Sequence, residues 1–307
     1  MISPPSRDRL RLAAKRNPES TSPVPNIRLT LAYDGAGFCG WQVQPDARTV
    51  QEELQAAIEA LTGQRVNLLA AGRTDSGVHA LGQVANFVTD ATIPADKWRP
   101  ALQGKLPPDI VILDSREVPP DFHATYSAVS KRYRYVIRRS LIDDPFVGPY
   151  AWRIAGELDV SAMNAAARAL FGRHDFRCFE TEWPNKATSV RTIVHAGFES
   201  VARWPAWSPD EFTAGLNPAA REEFLCFEIE ADGFLYNMVR AIVGTLVNIG
   251  RGKWPVERMA EIIAGQDRSA AGETAPAHGL YLVRVRYPGS SREGEASAEP
   301  LSHETND

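Results

Sequence analysis

Cysteine is scarce in this chain: Cys39, Cys178 and Cys226 stand far apart among 307 residues and form no paired motif. A disulfide framework and a cysteine-based zinc site are both argued against on that ground, and a reducing cytoplasm is the expected compartment. The six histidines are scattered, and none shows a metal-ligand spacing. No apolar run is long enough to span a membrane, and the N-terminus lacks the apolar segment of a signal peptide. A large excess of positive charge is missing too. The formal net charge of −4 does not mark a nucleic-acid binder, so any basic surface has to be local.

What remains is an ordinary globular composition with enough chain for one large domain or two medium ones. Charge is uneven at the ends. Residues 1–26 carry five basic and two acidic groups among Pro and Ser, whereas 289–307 carry one basic and five acidic groups. Both stretches read as disordered tails.

Between the tails, Ile27 to Tyr33 is a strand candidate that runs into the turn Gly35-Ala36-Gly37-Phe38-Cys39-Gly40. The three glycines match G-x-G-x-x-G, the dinucleotide-binding fingerprint. That motif should open a helix directly, and here Gln42 to Arg48 intervene, so a plain glycine-rich turn is the better reading. Thr49 and Glu52 form a capping box for a helix whose stripe is Val50, Leu54, Ala57, Ile58 and Leu61, ended by Gly63. Strands are expected at Val66–Ala71, Gln83–Val88 and Ile110–Val118, with a helix from Pro94 to Gln103. Beyond Pro119 and Pro120 the same order repeats. Strands are expected at Lys131–Arg139, Val190–Val201, Glu222–Asp232 and Leu280–Tyr287, and helices at Asp159–Phe171, Leu235–Gly250 and Val256–Ala264. A Pro-containing insert, Arg203–Arg221, interrupts this half. The fold class is therefore α+β: two ferredoxin-like split βαβ units, residues 27–120 and 121–288, with antiparallel sheets around a central cleft.

Three features could carry chemistry. The first is the loop Gly72-Arg73-Thr74-Asp75-Ser76-Gly77-Val78-His79-Ala80, which places one carboxylate and one arginine between two glycines. Its bland reading is a turn whose Asp and Thr cap local backbone donors. Without a second carboxylate, a metal or a histidine base, its chemical reading is covalent or acid–base work by a lone aspartate. The second is Arg240, the only charge on an otherwise apolar helix. It either reaches the surface or needs a carboxylate, and Asp75 is the bidentate partner proposed for it. The third is Lys131-Arg132-Tyr133-Arg134-Tyr135, where bases could stack on the tyrosines and phosphates lie on the arginines. Its bland reading is an edge strand guarded by positive charge.

With these pieces assembled, the chain closely resembles the tRNA pseudouridine synthase A family. The resemblance rests on Tyr33-Asp34-Gly35, Gly40-Trp41-Gln42, the Gly72–Ala80 loop and Gly82-Gln83-Val84. It continues through Asp121-Phe122-His123-Ala124, Lys131–Tyr135 and Asn237-Met238-Val239-Arg240 to Gly279-Leu280-Tyr281-Leu282-Val283. It implies the pseudouridine synthase fold and isomerisation of uridine to pseudouridine at positions 38 to 40 of the tRNA anticodon stem-loop. Asp75 is then the nucleophile, Arg73 contacts the RNA or helps flip the base, Tyr133 stacks on it, Arg240 pairs with Asp75 and Leu280 lines the uracil pocket. Arg132 and Arg134 are expected on the RNA. No metal and no organic cofactor is required, and a homodimer in which one tRNA touches both subunits is expected. Two rivals make different predictions. An inactive RNA-binding module would use Tyr133 and Tyr135 as a platform, and a nucleotide-cofactor enzyme would use Gly35, Gly37 and Gly40.

Overall fold

The computed structural model describes residues 24–181, 188–201 and 224–289. The 203–221 insert and all but the innermost residues of both expected tails lie outside the described residues. The first helix, α1 (Val50–Thr62), forms where the capping signal places it. The Thr49 hydroxyl accepts from the Glu52 N–H, and Gly63 closes the helix in the left-handed region at φ 71°. The Glu52 carboxylate turns outward to Arg65, 3.2 Å away. Val50, Leu54 and Ile58 are fully buried, each contributing about 1.5–3 kcal/mol of burial free energy.

The strands of the first half are β1 (Asn26–Tyr33), β2 (Leu69–Ala70), β3 (His79–Val88) and β4 (Ile110–Val118), with α2 (Trp98–Gln103) between the last two. The strand expected at Val66–Ala71 shrinks to two residues. Gln55 donates to the Val66 carbonyl and Gln51 to the Leu68 carbonyl, so α1 side chains satisfy this backbone instead of a strand partner. In the second half the strands are β5 (Ser130–Arg139), β6 (Trp152–Ile154), β7 (Gly172–Asp175), β8 (Val190–Val201), β9 (Phe224–Ala231) and β10 (Leu280–Arg286). Its helices are α3 (Val160–Ala167), α4 (Met238–Gly250) and α5 (Arg258–Gly265). The strands β6 and β7 were not anticipated, and α4 begins three residues later than expected because Asn237 is left-handed, at φ 61°.

All these strands belong to one sheet in the order β4-β1-β3-β10-β5-β9-β8-β7, with β2 beside β3 and β6 beside β5. The orders β4-β1-β3-β2 and β10-β5-β9-β8 are each that of a split βαβ unit. Within each half the four strands pair antiparallel. The halves join through a parallel ladder, Tyr281 opposite His79 and Leu282 opposite Ala80. The outer edge of β3 is thus shared: β10 takes residues 79–80 and β2 takes residues 85–86. One apolar core runs through both halves, from Leu29 and Phe87 to Phe227 and Leu246.

Candidate active site

The loop Ala71–Val78 leaves β2 and enters β3 at the seam where the two halves meet. Its backbone is pinned from several sides. Ala71 N–H donates to Val84 O (2.8 Å), Gln83 Nε2 to Gly72 O (2.8 Å), Trp41 N–H to Thr74 O (3.0 Å) and Gly77 N–H to Phe38 O (3.3 Å). The Thr74 hydroxyl is 2.8 Å from the buried Tyr33 hydroxyl, which also accepts from Gln83 (3.4 Å). The glycine-rich turn explains itself here. A Cβ on Gly40, at φ 92°, would lie 2.7 Å from Thr74 O, and one on Gly35 would lie 2.1 Å from Val78 O. These glycines let one backbone lie directly on another, and the cofactor reading of the motif falls away. Gly77 turns the loop through the left-handed region at φ 76°; Gly72 keeps an ordinary backbone.

Asp75 caps no local donor. Among the described residues its carboxylate has one hydrogen-bond partner, Arg240, whose Nη1 lies 3.2 Å from Oδ2. The contact joins the first half to α4 of the second. It is single rather than bidentate. The Arg240 Nε donates to Ala275 O (2.7 Å), and Nη1 divides its two N–H groups between Asn237 Oδ1 (2.8 Å) and the aspartate. Asn237 is held in turn by Thr181, and the Ala275 N–H bonds back to Arg240 O. The arginine therefore neither reaches for solvent nor rotates freely. Burial pushes the Asp75 carboxyl above its ordinary value, and the charge and hydrogen bond of Arg240 oppose that push. The result is a carboxylate more basic than an exposed one, held in place by a fixed cation.

Tyr133 lies on the core-facing side of β5, buried, with its ring edge-to-face on Phe234 at 5.0 Å. Burial and then the charges of Tyr33 and Asp75 drive its phenol well above the usual range, so the hydroxyl stays neutral. Burial likewise raises the Tyr33 hydroxyl to about 12. Leu280 is buried at the start of β10, opposite Tyr135, whose hydroxyl donates to Pro276 O at 2.8 Å. Arg73 is exposed and makes no hydrogen bond or ion pair with any described residue.

Arg132 and Arg134 are not brought to Asp75. The alternation that turns Tyr133 inward turns them to the opposite face of the sheet, where Arg132 Nε meets Glu230 (2.7 Å) and Arg134 Nε meets Glu228 (2.9 Å). Arg284 (3.4 Å) and Arg286 (3.5 Å) also approach Glu230. The strand is flanked by β10 and β9, so the edge-strand reading fails as well.

Sequence reasoning gave no individual role to Tyr33, Gln83 and His79, which support the loop. The signal available was a polar residue at an inward position of an apolar strand. His79 is buried, stacked on Tyr281 at 4.7 Å. Its Nδ1 accepts from Gly35 N–H (3.0 Å), which leaves the proton on Nε2, 3.2 Å from His278 O. Burial lowers its pKa, in keeping with a neutral ring. No group of three or more metal-binding side chains occurs among the described residues, and no helix there is long and apolar enough to cross a membrane.

This arrangement can be set beside known proteins. The family model described as tRNA pseudouridine synthase matches residues 30–127 and 166–288, which include Asp75 and Arg240. The chain belongs to that family. Relatives named tRNA pseudouridine synthase A include one from Acetivibrio thermocellus, 44% identical over 262 residues, covering 85% of this chain and 99% of that one. Another from Moorella thermoacetica is 45% identical over 266 residues, covering 86% and 100%. A third, from Halalkalibacterium halodurans, is 43% identical over 275 residues, covering 89% and 97%. Among solved structures, a chain of the archaeal box H/ACA sRNP Nop10-Cbf5 complex overlaps 84% of this chain and 57% of its own length. At a TM-score of 0.29 and 10% identity, that likeness is too slight to bear on the fold. As a family member the protein is an isomerase that converts uridine to pseudouridine in tRNA.

Proposed function

We propose that the enzyme modifies uridines at positions 38 to 40 of the tRNA anticodon stem-loop, with Asp75 acting on the ribose of a flipped-out nucleotide. One observation carries the reading. A single carboxylate on an immobilised loop of one half is met by a single guanidinium from the other. The isomerisation needs little else. The bond from ribose C1′ to uracil N1 breaks, the uracil turns, and C5 bonds to the same C1′; C5 gives up a proton and N1 gains one. An aspartate starts this either by adding to the sugar or by taking a proton from it, and both routes need it ionised and desolvated. Arg240 favours the ionised form, and burial strengthens its basicity.

The base has to leave the helix stack, at a cost of a few kcal/mol that is smaller beside a loop. In this reading Tyr133 stacks on the base, Leu280 borders the uracil and Arg73 supplies an RNA contact. Arg132 and Arg134, held by Glu228 and Glu230, are not part of the pocket. The enzyme works without metal or cofactor, as a cytoplasmic homodimer whose two subunits share one tRNA. The test is to incubate unmodified tRNA transcripts with the enzyme and map pseudouridine through the anticodon arm. Product confined to positions 38, 39 and 40 supports the assignment; product elsewhere in the tRNA refutes the choice of site.

A further inference from the structure

Between β4 and β5 the chain forms a turn, Phe122–Ser127, that is rigid and yet presents a bare aromatic ring. Its rigidity comes from contacts at almost every residue. Asn26 Nδ2 donates to Phe122 O (3.0 Å), Ala124 N–H donates to Asn86 Oδ1 (2.9 Å) and the Tyr287 hydroxyl donates to Ala124 O (2.7 Å). Inside the turn, Ser127 N–H bonds to His123 O (2.9 Å) and the Ser127 hydroxyl accepts from His123 N–H (3.1 Å). The His123 ring is itself fixed, since Nδ1 accepts from Thr125 N–H at 3.1 Å. On this frame Tyr126 is 83% exposed, with its ring 4.3 Å from that of His123 and tilted 42°. An aromatic side chain so fully exposed on so well anchored a backbone gains little for the fold from its own burial.

The turn also adjoins the catalytic loop. The Thr125 hydroxyl donates to Ala70 O at 2.5 Å, and Ala70 ends β2 just before the loop that bears Arg73 and Asp75. Lys131 lies over the same segment: its Nζ is 3.5 Å from where a Cβ on Gly72 would be. A fixed, exposed aromatic on a turn hydrogen-bonded to the segment that leads to Arg73, with Lys131 over that segment, is the combination that binds unpaired nucleotides, the bases stacking and the phosphates meeting positive charge. We propose that Tyr126, backed by His123, is a stacking platform for a second unpaired base of the RNA, next to the nucleotide held at Asp75. The proposal rests on the functional reading above in one respect, that the loop nearby acts on RNA.

The experiment compares wild type, Tyr126→Ala and Tyr126→Phe on an unmodified tRNA transcript, measuring Kd, KM, kcat, thermal stability and molecular mass in solution. Tyr126→Ala should raise Kd and KM roughly tenfold or more, the loss expected for one stacked base. Turnover at saturating tRNA and stability should stay unchanged, and Tyr126→Phe should behave as wild type. Wild-type affinity in Tyr126→Ala overturns the platform. So does equal weakening in Tyr126→Phe, which would assign the effect to the hydroxyl, or a fall in oligomer mass, which would make this surface a subunit contact. Failure of the functional reading looks different, because Asp75→Asn would then still form pseudouridine. In that case, binding of the three proteins to a single-stranded oligoribonucleotide still decides the platform.

Discussion

Replacing Arg240 with methionine tests the charge pair at the seam. Methionine keeps much of the arginine stem's apolar volume, so packing on α4 changes little while three hydrogen bonds disappear. Two of them, to Ala275 O and Asn237 Oδ1, are bonds from a cation to neutral acceptors, and the third, to Asp75, joins two charges. At about 1 kcal/mol for each of the former and about 2 kcal/mol for the latter, the total loss is about 4 kcal/mol. The Asp75 share should depend on pH. Burial already raises its carboxyl and Arg240 restrains the rise, so removing the arginine raises it further. A carboxyl whose folded-state pKa lies above its unfolded value contributes stability that is full in acid and lost as pH rises through the folded value. The Arg240→Met deficit should accordingly be largest near neutrality and shrink toward acid. Urea denaturation of wild type, Arg240→Met, Asp75→Asn and the double variant at several pH values measures this, with an expected coupling of about 2 kcal/mol near neutrality. Pseudouridine formation should vanish in Arg240→Met. Additive effects of the two substitutions, a deficit independent of pH, or retained activity would refute the reasoning.

Gly40→Ala should disturb the Asp75 loop from behind, because its Cβ would sit 2.7 Å from Thr74 O on a backbone at φ 92°. A loss of about 2 kcal/mol is expected by denaturation, with a larger fall in kcat than in tRNA affinity. Glu230→Gln addresses the opposite face. Burial alone would raise this carboxyl, but Ser130, Arg132 and Arg286 bring it down to about 2. Its stabilisation is therefore present above the ordinary value of 4.5 and lost as pH falls toward about 2. Glu230→Gln should cost about 3 kcal/mol near neutrality and flatten the acid limb of a stability–pH curve, while kcat stays unchanged.

Local patterns were legible in the residues. The capped helix α1 and the alternation of β5 follow from spacings within one segment, and these spacings survive folding. What was not legible depends on partners far along the chain. The residues Val66–Leu68 carry strand propensity, yet glutamines of α1 claim their carbonyls. The parallel ladder of Tyr281 and Leu282 with His79 and Ala80 joins segments about two hundred residues apart and leaves no periodic trace. The basic strand shows the same division. Its two faces could be read from the sequence, but the carboxylates that occupy one of them come from β9, so charge pairing between strands and charge offered to RNA looked alike. At the site, the meeting of Asp75 with Arg240 was expected because a lone charge on an apolar helix demands a partner. Its single-contact geometry was not, because it depends on where Ala275 and Asn237 lie.

In the proposed reaction Asp75 is the group that acts on the ribose, while Arg240 holds it and its neighbours position the base. The side-chain amide introduced by Asp75→Asn keeps an oxygen that can accept from Arg240 and sheds the cost of a buried charge, so the variant should fold at least as stably as wild type. Its tRNA affinity and its pseudouridine yield, measured side by side with enzyme in excess over tRNA, are the most direct test. The account predicts tight binding with no pseudouridine, and full conversion by Asp75→Asn would contradict it.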